Sequence, residues 1–131
     1  MPNKEIVVLC DNDRLARAIE LNLTAHMAVR VTDLPLDIVY RDANHLLQKD
    51  CDLVIVAASC VRSQPMIERA SVSLFDRLGS LPVLLISPQP FLPSRAHTMV
   101  CLPFPFAIDA LCTRVAQLLY LEPWLAPVQE V

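Results

Sequence analysis

Short apolar runs alternate with segments of helical spacing along this chain. The first run, EIVVLC at residues 5–10, is too short and too rich in β-branched residues for a helix, so it predicts a buried strand. The next segment, DNDRLARAIELNL, predicts a helix, because Asp and Asn suit a first turn. Apolar residues then recur at helical spacing at Leu15, Ala18, Ile19 and Leu23.

The same alternation continues to the end of the sequence. It predicts four more strands, at 28–32, 52–59, 81–87 and 98–103, and three more helices, at 41–50, 64–79 and 106–122. The segment at 88–97 has three prolines in six residues, which blocks a regular helix. In the last helix the residues predicted to face inward are Ala107, Leu111, Val115, Leu118 and Leu119.

Strict alternation of strands and helices is typical of an α/β protein with a parallel sheet covered on both faces. We therefore expect a three-layer α/β/α domain with a five-stranded parallel sheet over residues 1–122, followed by an extended tail at 123–131. In such folds ligands collect at the carboxyl ends of the strands. Here those ends fall near Cys10, Ala57, Ser87 and Leu102.

Composition narrows the functional classes. The 131 residues are 54% hydrophobic and 19% charged, which argues against disorder. The net charge is −3 and no block of Lys or Arg occurs, so direct nucleic-acid binding is disfavoured. No apolar run approaches the roughly 18 residues of a membrane span, and we expect a cytoplasmic protein. The five cysteines form no CxxC pair, so buried thiols are the expected state.

The stretch VVLCDND, where the first strand meets polar residues, allows three interpretations. Cys10 could be a nucleophile, Asp11, Asn12 and Asp13 could bind a cation, or the strand could simply run into a helix cap. Phosphate-binding loops built around a nucleophilic cysteine need glycines, or an arginine six residues after the cysteine. In this chain the arginines follow Cys10 by four and seven residues. Acidic neighbours would also raise the thiol pKa. We favour the strand-and-cap interpretation.

The segments VVLCDND, CDLVIVAAS, LPVLLIS and VCLPFPFAIDALCTRVAQLL together resemble the receiver domain of two-component response regulators. The resemblance covers residues 4–120, and the last segment is its most specific part. It implies a flavodoxin-like strand order of 2-1-3-4-5. Only 15 positions separate Ser87 from Leu102, roughly two helical turns fewer than in the family, so the fourth helix is expected to be shortened or missing.

The resemblance assigns the receiver site to five positions. The two metal-binding acids fall on Asp11 and Asn12, the phosphoaccepting aspartate on Ala57, the hydroxyl on Ser87, and the phosphate-contacting lysine on Leu102. Phosphoryl transfer to a carboxylate needs that carboxylate, a Mg²⁺ ion and a cation to hold the product. Ala57 has no oxygen and Leu102 has no charge. The sequence therefore predicts a pseudo-receiver with no catalytic residue, no metal and no cofactor.

Interaction is the stronger functional signal. Large apolar side chains past the inward stripe of the last helix, and close to it in sequence, predict a surface for a protein partner, which could be a second copy of this chain. The alternative is a tail that folds back to cover them. The runner-up function is a small-ligand or metal sensor that uses the degenerate receiver pocket, including the switch-aromatic position, Met99. The candidate interface residues are Met99, Phe104, Phe106, Tyr120, Leu121 and Trp124.

Overall fold

The computed structural model describes residues 4–36, 51–63, 65, 82–88 and 99–120. Five parallel strands form one sheet in the order β2-β1-β3-β4-β5, which confirms the predicted strand order. Two helices belong to the described part of the chain, α1 (Asp13–His26) and α2 (Ile108–Tyr120). The strands are β1 (Lys4–Cys10), β2 (Val29–Pro35), β3 (Leu53–Ala57), β4 (Val83–Ser87) and β5 (Met99–Pro103).

Both faces of the sheet are buried, as expected for the middle layer of three. Side chains alternate between the faces of a strand. On one face Val8, Ile55 and Leu84 join the core packed by α1 and α2. On the other face Leu9 and Val56, whose side chains point the opposite way, are also completely buried. Strands that are buried on both faces have continuous apolar sequences, which is why the sequence predicts β1, β3 and β4.

Helix α1 begins where the sequence predicts, but its buried stripe differs by one member. Asn12 is the N-cap, and Ile19 and Leu23 are buried as expected. Ala16 is buried, whereas Ala18 is exposed, so the prediction for Ala18 is wrong. The stripe at 16, 19 and 23 follows i, i+3 and i+7 spacing, and Ala18 lies outside that arc.

Helix α2 starts two residues later than predicted. Leu111, Val115 and Leu118 are buried, and Leu119 packs partly against the core. Ala107 is exposed and precedes the helix, so its predicted inward position is wrong. Its carbonyl oxygen instead accepts the N–H of Leu111 at 3.1 Å, which satisfies a donor of the first turn.

Several predictions lie outside the described residues. They are the helices at 41–50 and 64–79, the shortened fourth helix within 89–98, and the extended tail at 123–131. The described strands begin and end within three residues of their predicted limits, and this includes the carboxyl end of β3. There the predicted strand runs to 59, whereas β3 ends at Ala57 and the chain turns into a short 3-10 helix at Val61–Ser63.

Candidate functional site

Asp11 follows the carboxyl end of β1 and reaches the loop after β3. Its Oδ1 accepts the backbone N–H of Ser59 at 2.9 Å, and its Oδ2 accepts the hydroxyl of Ser63 at 2.6 Å. The Ser59 hydroxyl lies 3.4 Å from Oδ2. The backbone N–H of Asp11 in turn donates to the carbonyl oxygen of Ala57 at 3.3 Å. Asp11 is thus a tether between two strand ends, a role that the sequence did not reveal.

Asn12 occupies the second position that the resemblance assigns to a metal-binding acid. Its side-chain oxygen accepts the backbone N–H groups of Arg14 at 2.8 Å and Leu15 at 3.1 Å. An extended N-cap residue whose oxygen bonds to the second and third amides is the usual way to begin a helix. The cap interpretation of VVLCDND therefore holds for Asn12, while Asp11 serves the neighbouring loop.

The positions assigned to the phosphoacceptor and the lysine lie in one apolar row across the sheet. The strand register pairs Cys10 with Ala57, Ala57 with Ile86, and Ile86 with Leu102. All four residues belong to the core, and Ala57 is 0% exposed. We call this set the apolar row. It puts hydrocarbon and one thiol at the place where the resemblance implies a carboxylate and an ammonium group.

Ser87 lies one step beyond the apolar row, opposite Pro103. It is a polar residue of the core, only 2% exposed. Its carbonyl oxygen accepts the N–H of Phe104 at 2.8 Å, which joins the end of β4 to the turn after β5. The hydroxyl that the resemblance implies is present in sequence, but it lies beneath the surface of the domain.

Cys10 is a buried thiol. Burial is the main cause that raises its pKa to about 11; a backbone hydrogen bond from Asn12 opposes the rise, and the charge of Asp11 adds to it. The thiol sulfur also lies 3.3 Å from the carbonyl oxygen of Asn12. A thiol of this kind is protonated at neutral pH and is a poor nucleophile. Cys60, by contrast, is exposed, so the expectation of buried cysteines is wrong there.

A groove runs between α1 and the end of β2, beside Asp11. Its volume is about 460 Å³, and its walls carry the carboxylates of Asp11, Asp13 and Asp33 together with the apolar side chains of Leu34 and Leu36. Asp33 could not be recognised from the sequence, because nothing in the alternating pattern of β2 marks it as a neighbour of α1. Within the described parts of the chain, no three His, Cys, Asp or Glu side chains are grouped so that they could hold a metal ion.

The candidate interface residues are only partly brought together. Phe104 and Phe106 are half-buried against the core and meet edge to face, with ring centroids 6.1 Å apart. Tyr120 is 48% exposed, and the Lys4 ammonium lies 5.9 Å from its ring centroid. Met99 contributes backbone to β5, opposite Val83. Leu121 and Trp124 lie outside the described residues.

No protein-family model matches the chain, and no curated protein matches it. Solved structures do. A response regulator receiver domain protein from Bacillus halodurans is 21% identical, with a TM-score of 0.68 over 88% of this chain and 97% of its own. The signal receiver domain of an HD domain-containing protein from Pseudomonas fluorescens is 14% identical, with a TM-score of 0.69 over 100% of this chain and 96% of its own.

A third similar structure is the receiver domain of a sensor histidine kinase from Pseudomonas aeruginosa, which has magnesium coordinated in its active-site cleft. It is 16% identical, with a TM-score of 0.65 over 89% of this chain and 97% of its own. Together with the strand order, these likenesses show that the chain has the fold of a response-regulator receiver domain. Neither α1 nor α2, the helices of the described part, is long and apolar enough to cross a membrane.

Proposed function

We propose that this protein is a non-phosphorylatable, receiver-like signalling module that acts by contact with other proteins in a two-component or transcriptional pathway of the cytoplasm. The observation that carries the proposal is the apolar row. A carboxylate nucleophile has to stand where Ala57 stands, and a cation has to stand where Leu102 stands. Ala57 is fully buried and Leu102 is 7% exposed, so neither place offers the required group.

The tether of Asp11 supports the same conclusion. Mg²⁺ takes oxygen ligands in octahedral geometry and usually keeps several waters. Both carboxylate oxygens of Asp11 already accept hydrogen bonds from the 59–63 loop, and the oxygen of Asn12 caps α1. A metal ion at this carboxylate would compete with the Ser59 and Ser63 donors for its lone pairs. Asp13 and Asp33 line the same groove as Asp11, but the described residues group no three His, Cys, Asp or Glu side chains that could hold the ion together.

A sensor that binds a small ligand in the receiver pocket is less well supported. That function requires the Ser87 hydroxyl and the Asn12 side chain to face a ligand. Ser87 is 2% exposed, and the Asn12 oxygen is committed to two backbone amides. We therefore favour protein contact, with exposed Ile108 and Tyr120 of α2 as its first candidates.

Phosphorylation is tested directly with a small phosphodonor. The protein is incubated with acetyl phosphate and Mg²⁺, and its intact mass is measured beside the magnesium-binding receiver from Pseudomonas aeruginosa. We expect that receiver to gain one phosphoryl group and this protein to gain none. A hydroxylamine-sensitive gain on this protein would overturn the proposal, and an Asp11→Asn variant would then show whether Asp11 carries the group.

Self-association, the simplest form of protein contact, is tested by light scattering over a range of concentrations. If α2 forms a homodimer interface, the mass approaches twice 14.6 kDa, and Ile108→Ser with Tyr120→Ser returns it to the monomer. Leu21→Ser is the matched control, because Leu21 is exposed on α1. A strict monomer at high concentration contradicts the homodimer and leaves a different protein as the partner to be captured.

A further inference from the structure

The thiols of Cys10 and Cys60 lie against the same carboxyl group. The Sγ atom of Cys10, the last residue of β1, is 3.9 Å from Oδ1 of Asp11. The Sγ atom of Cys60, in the loop after β3, is 3.9 Å from Oδ2 of Asp11. One carboxyl group therefore gathers two sulfur atoms from parts of the chain that are far apart in sequence.

The strand register also places the two cysteines close together. Cys10 is paired with Ala57, the last residue of β3, and Cys60 follows Ala57 by three residues. Paired residues on neighbouring strands are about 5 Å apart. A disulfide needs Cα atoms within about 7 Å of each other. Because Cys60 is exposed, its loop can move toward the end of β1 while the core stays packed.

The two thiols differ in their access to solvent. Cys60 is exposed, whereas Cys10 is 7% exposed and belongs to the core. A reagent in solution therefore meets Cys60 first. An exposed thiol beside a second thiol is the usual arrangement of a redox-sensitive pair, in which the second thiol reacts with the oxidised first one.

We propose that Cys10 and Cys60 form a redox-sensitive pair, which a peroxide converts into a disulfide between β1 and the loop after β3. The Cys60 thiolate attacks an oxygen of hydrogen peroxide, the O–O bond breaks, and Cys60 becomes a sulfenic acid as one water is released. The Cys10 sulfur then attacks the Cys60 sulfur, and the S–O bond breaks as the S–S bond forms. The departing hydroxide takes the Cys10 proton and leaves as a second water, so two electrons pass from the thiols to the peroxide.

The disulfide makes covalent a connection that Asp11 otherwise makes by hydrogen bonds. In the reduced protein the loop is held by the hydrogen bonds that Asp11 accepts from Ser59 and Ser63. In the oxidised protein the S–S bond holds the same loop to the same strand end without the carboxylate, and we call this state the disulfide lock. The raised pKa of Cys10 makes its attack the slower of the two steps. The proposal concerns control of this loop and does not depend on the protein-contact function.

Cross-link mapping tests the bond itself. The folded whole protein, dilute and at neutral pH, is treated with stoichiometric hydrogen peroxide, alkylated, and digested without reduction for mass spectrometry. We expect a linked pair of peptides that contain Cys10 and Cys60, and an intact mass lower by two hydrogens. Cys60→Ser should abolish the pair, whereas Cys112→Ser on α2 is the control and should retain it. Absence of the pair, or Cys60 found mainly as an acid or linked to another cysteine, would overturn the proposal.

Urea unfolding tests the lock. In the reduced state we expect Asp11→Ala to lower the urea midpoint relative to the wild-type protein. In the oxidised state this difference should be at least halved, because the disulfide holds the loop without the carboxylate. In a Cys60→Ser background, which cannot form the bond, peroxide should leave the effect of Asp11→Ala unchanged. An equal effect of Asp11→Ala in the reduced and oxidised states would contradict the lock.

Discussion

Ser63 donates its hydroxyl hydrogen to Oδ2 of Asp11 at 2.6 Å, although the two residues are 52 positions apart in the sequence. This hydrogen bond and the Ser59 amide fix the loop after β3 to the end of β1. The receiver resemblance assigns a metal ligand to Asp11. The carboxylate is retained at that position, but it accepts hydrogen bonds from Ser59 and Ser63 of its own chain. This difference leads to predictions about stability that need no partner.

Replacing Asp11 with Ala should lower the free energy of unfolding by about 1–2 kcal/mol, because the Ser59 amide and two hydroxyl groups lose a charged acceptor at a partly exposed site. Urea denaturation measures the change. Arg62→Ala in the same loop is the control, since Arg62 is exposed, and its effect should stay within about 0.5 kcal/mol. Equal effects of the two substitutions would contradict the tether.

Asn12→Ala should cost about 0.5–2 kcal/mol of stability through loss of the helix cap. Asn12→Asp keeps an oxygen for the Arg14 and Leu15 amides and adds a charge that suits the helix N-terminus, so it should be close to neutral. Denaturant unfolding of both variants distinguishes a cap from a ligand. The helix-cap role of Asn12 would be contradicted if Asn12→Asp were as unstable as Asn12→Ala.

The buried thiol of Cys10 and the exposed thiol of Cys60 should react at very different rates. Cys60 is exposed and should be alkylated first, whereas Cys10 is buried and has a pKa of about 11, so it should resist iodoacetamide at pH 8 until the protein unfolds. Peptide mass spectrometry after timed alkylation identifies the modified residue. Rapid modification of Cys10 in the folded protein would reopen the nucleophile hypothesis.

Stability should also fall in alkaline solution because of Cys10. Its pKa is about 11 in the fold and 9.0 as the ordinary value, so the folded chain retains a proton that the unfolded chain releases above pH 9. The contribution is complete below pH 9 and is lost as the pH rises through about 11. Cys10→Ala should flatten this part of the stability curve relative to Cys60→Ala, when each is measured by urea unfolding at several pH values.

Core packing predicts a sharp contrast between two leucines on the two helices. Leu111 of α2 is completely buried, so Leu111→Ala should cost about 2–5 kcal/mol. Leu21 of α1 is 55% exposed, and Leu21→Ala should stay within about 0.5 kcal/mol in a monomeric sample. Thermal and urea unfolding of both variants provide the comparison. A large cost at Leu21 would indicate that its side chain is covered in solution.

The sheet could be predicted because hydrophobic runs and helix signals are local. Asn12 was recognisable as a cap from the few residues around it, and the apolar row follows once Ala57 and Leu102 are placed at strand ends. The Asp11 tether could not be predicted, because it depends on how a loop 48 residues away turns after β3. Ala18 and Ala107 were misplaced, since small apolar residues suit both faces of a helix.

The apolar row also bears on how long a signal from such a protein would last. An acyl phosphate hydrolyses spontaneously, so the rate of hydrolysis limits how long a receiver stays phosphorylated. The apolar row of Cys10, Ala57, Ile86 and Leu102 contains no carboxylate that could form an acyl phosphate. If the protein signals by contact alone, the duration of its output is set by how slowly the partner dissociates and how quickly the polypeptide is degraded.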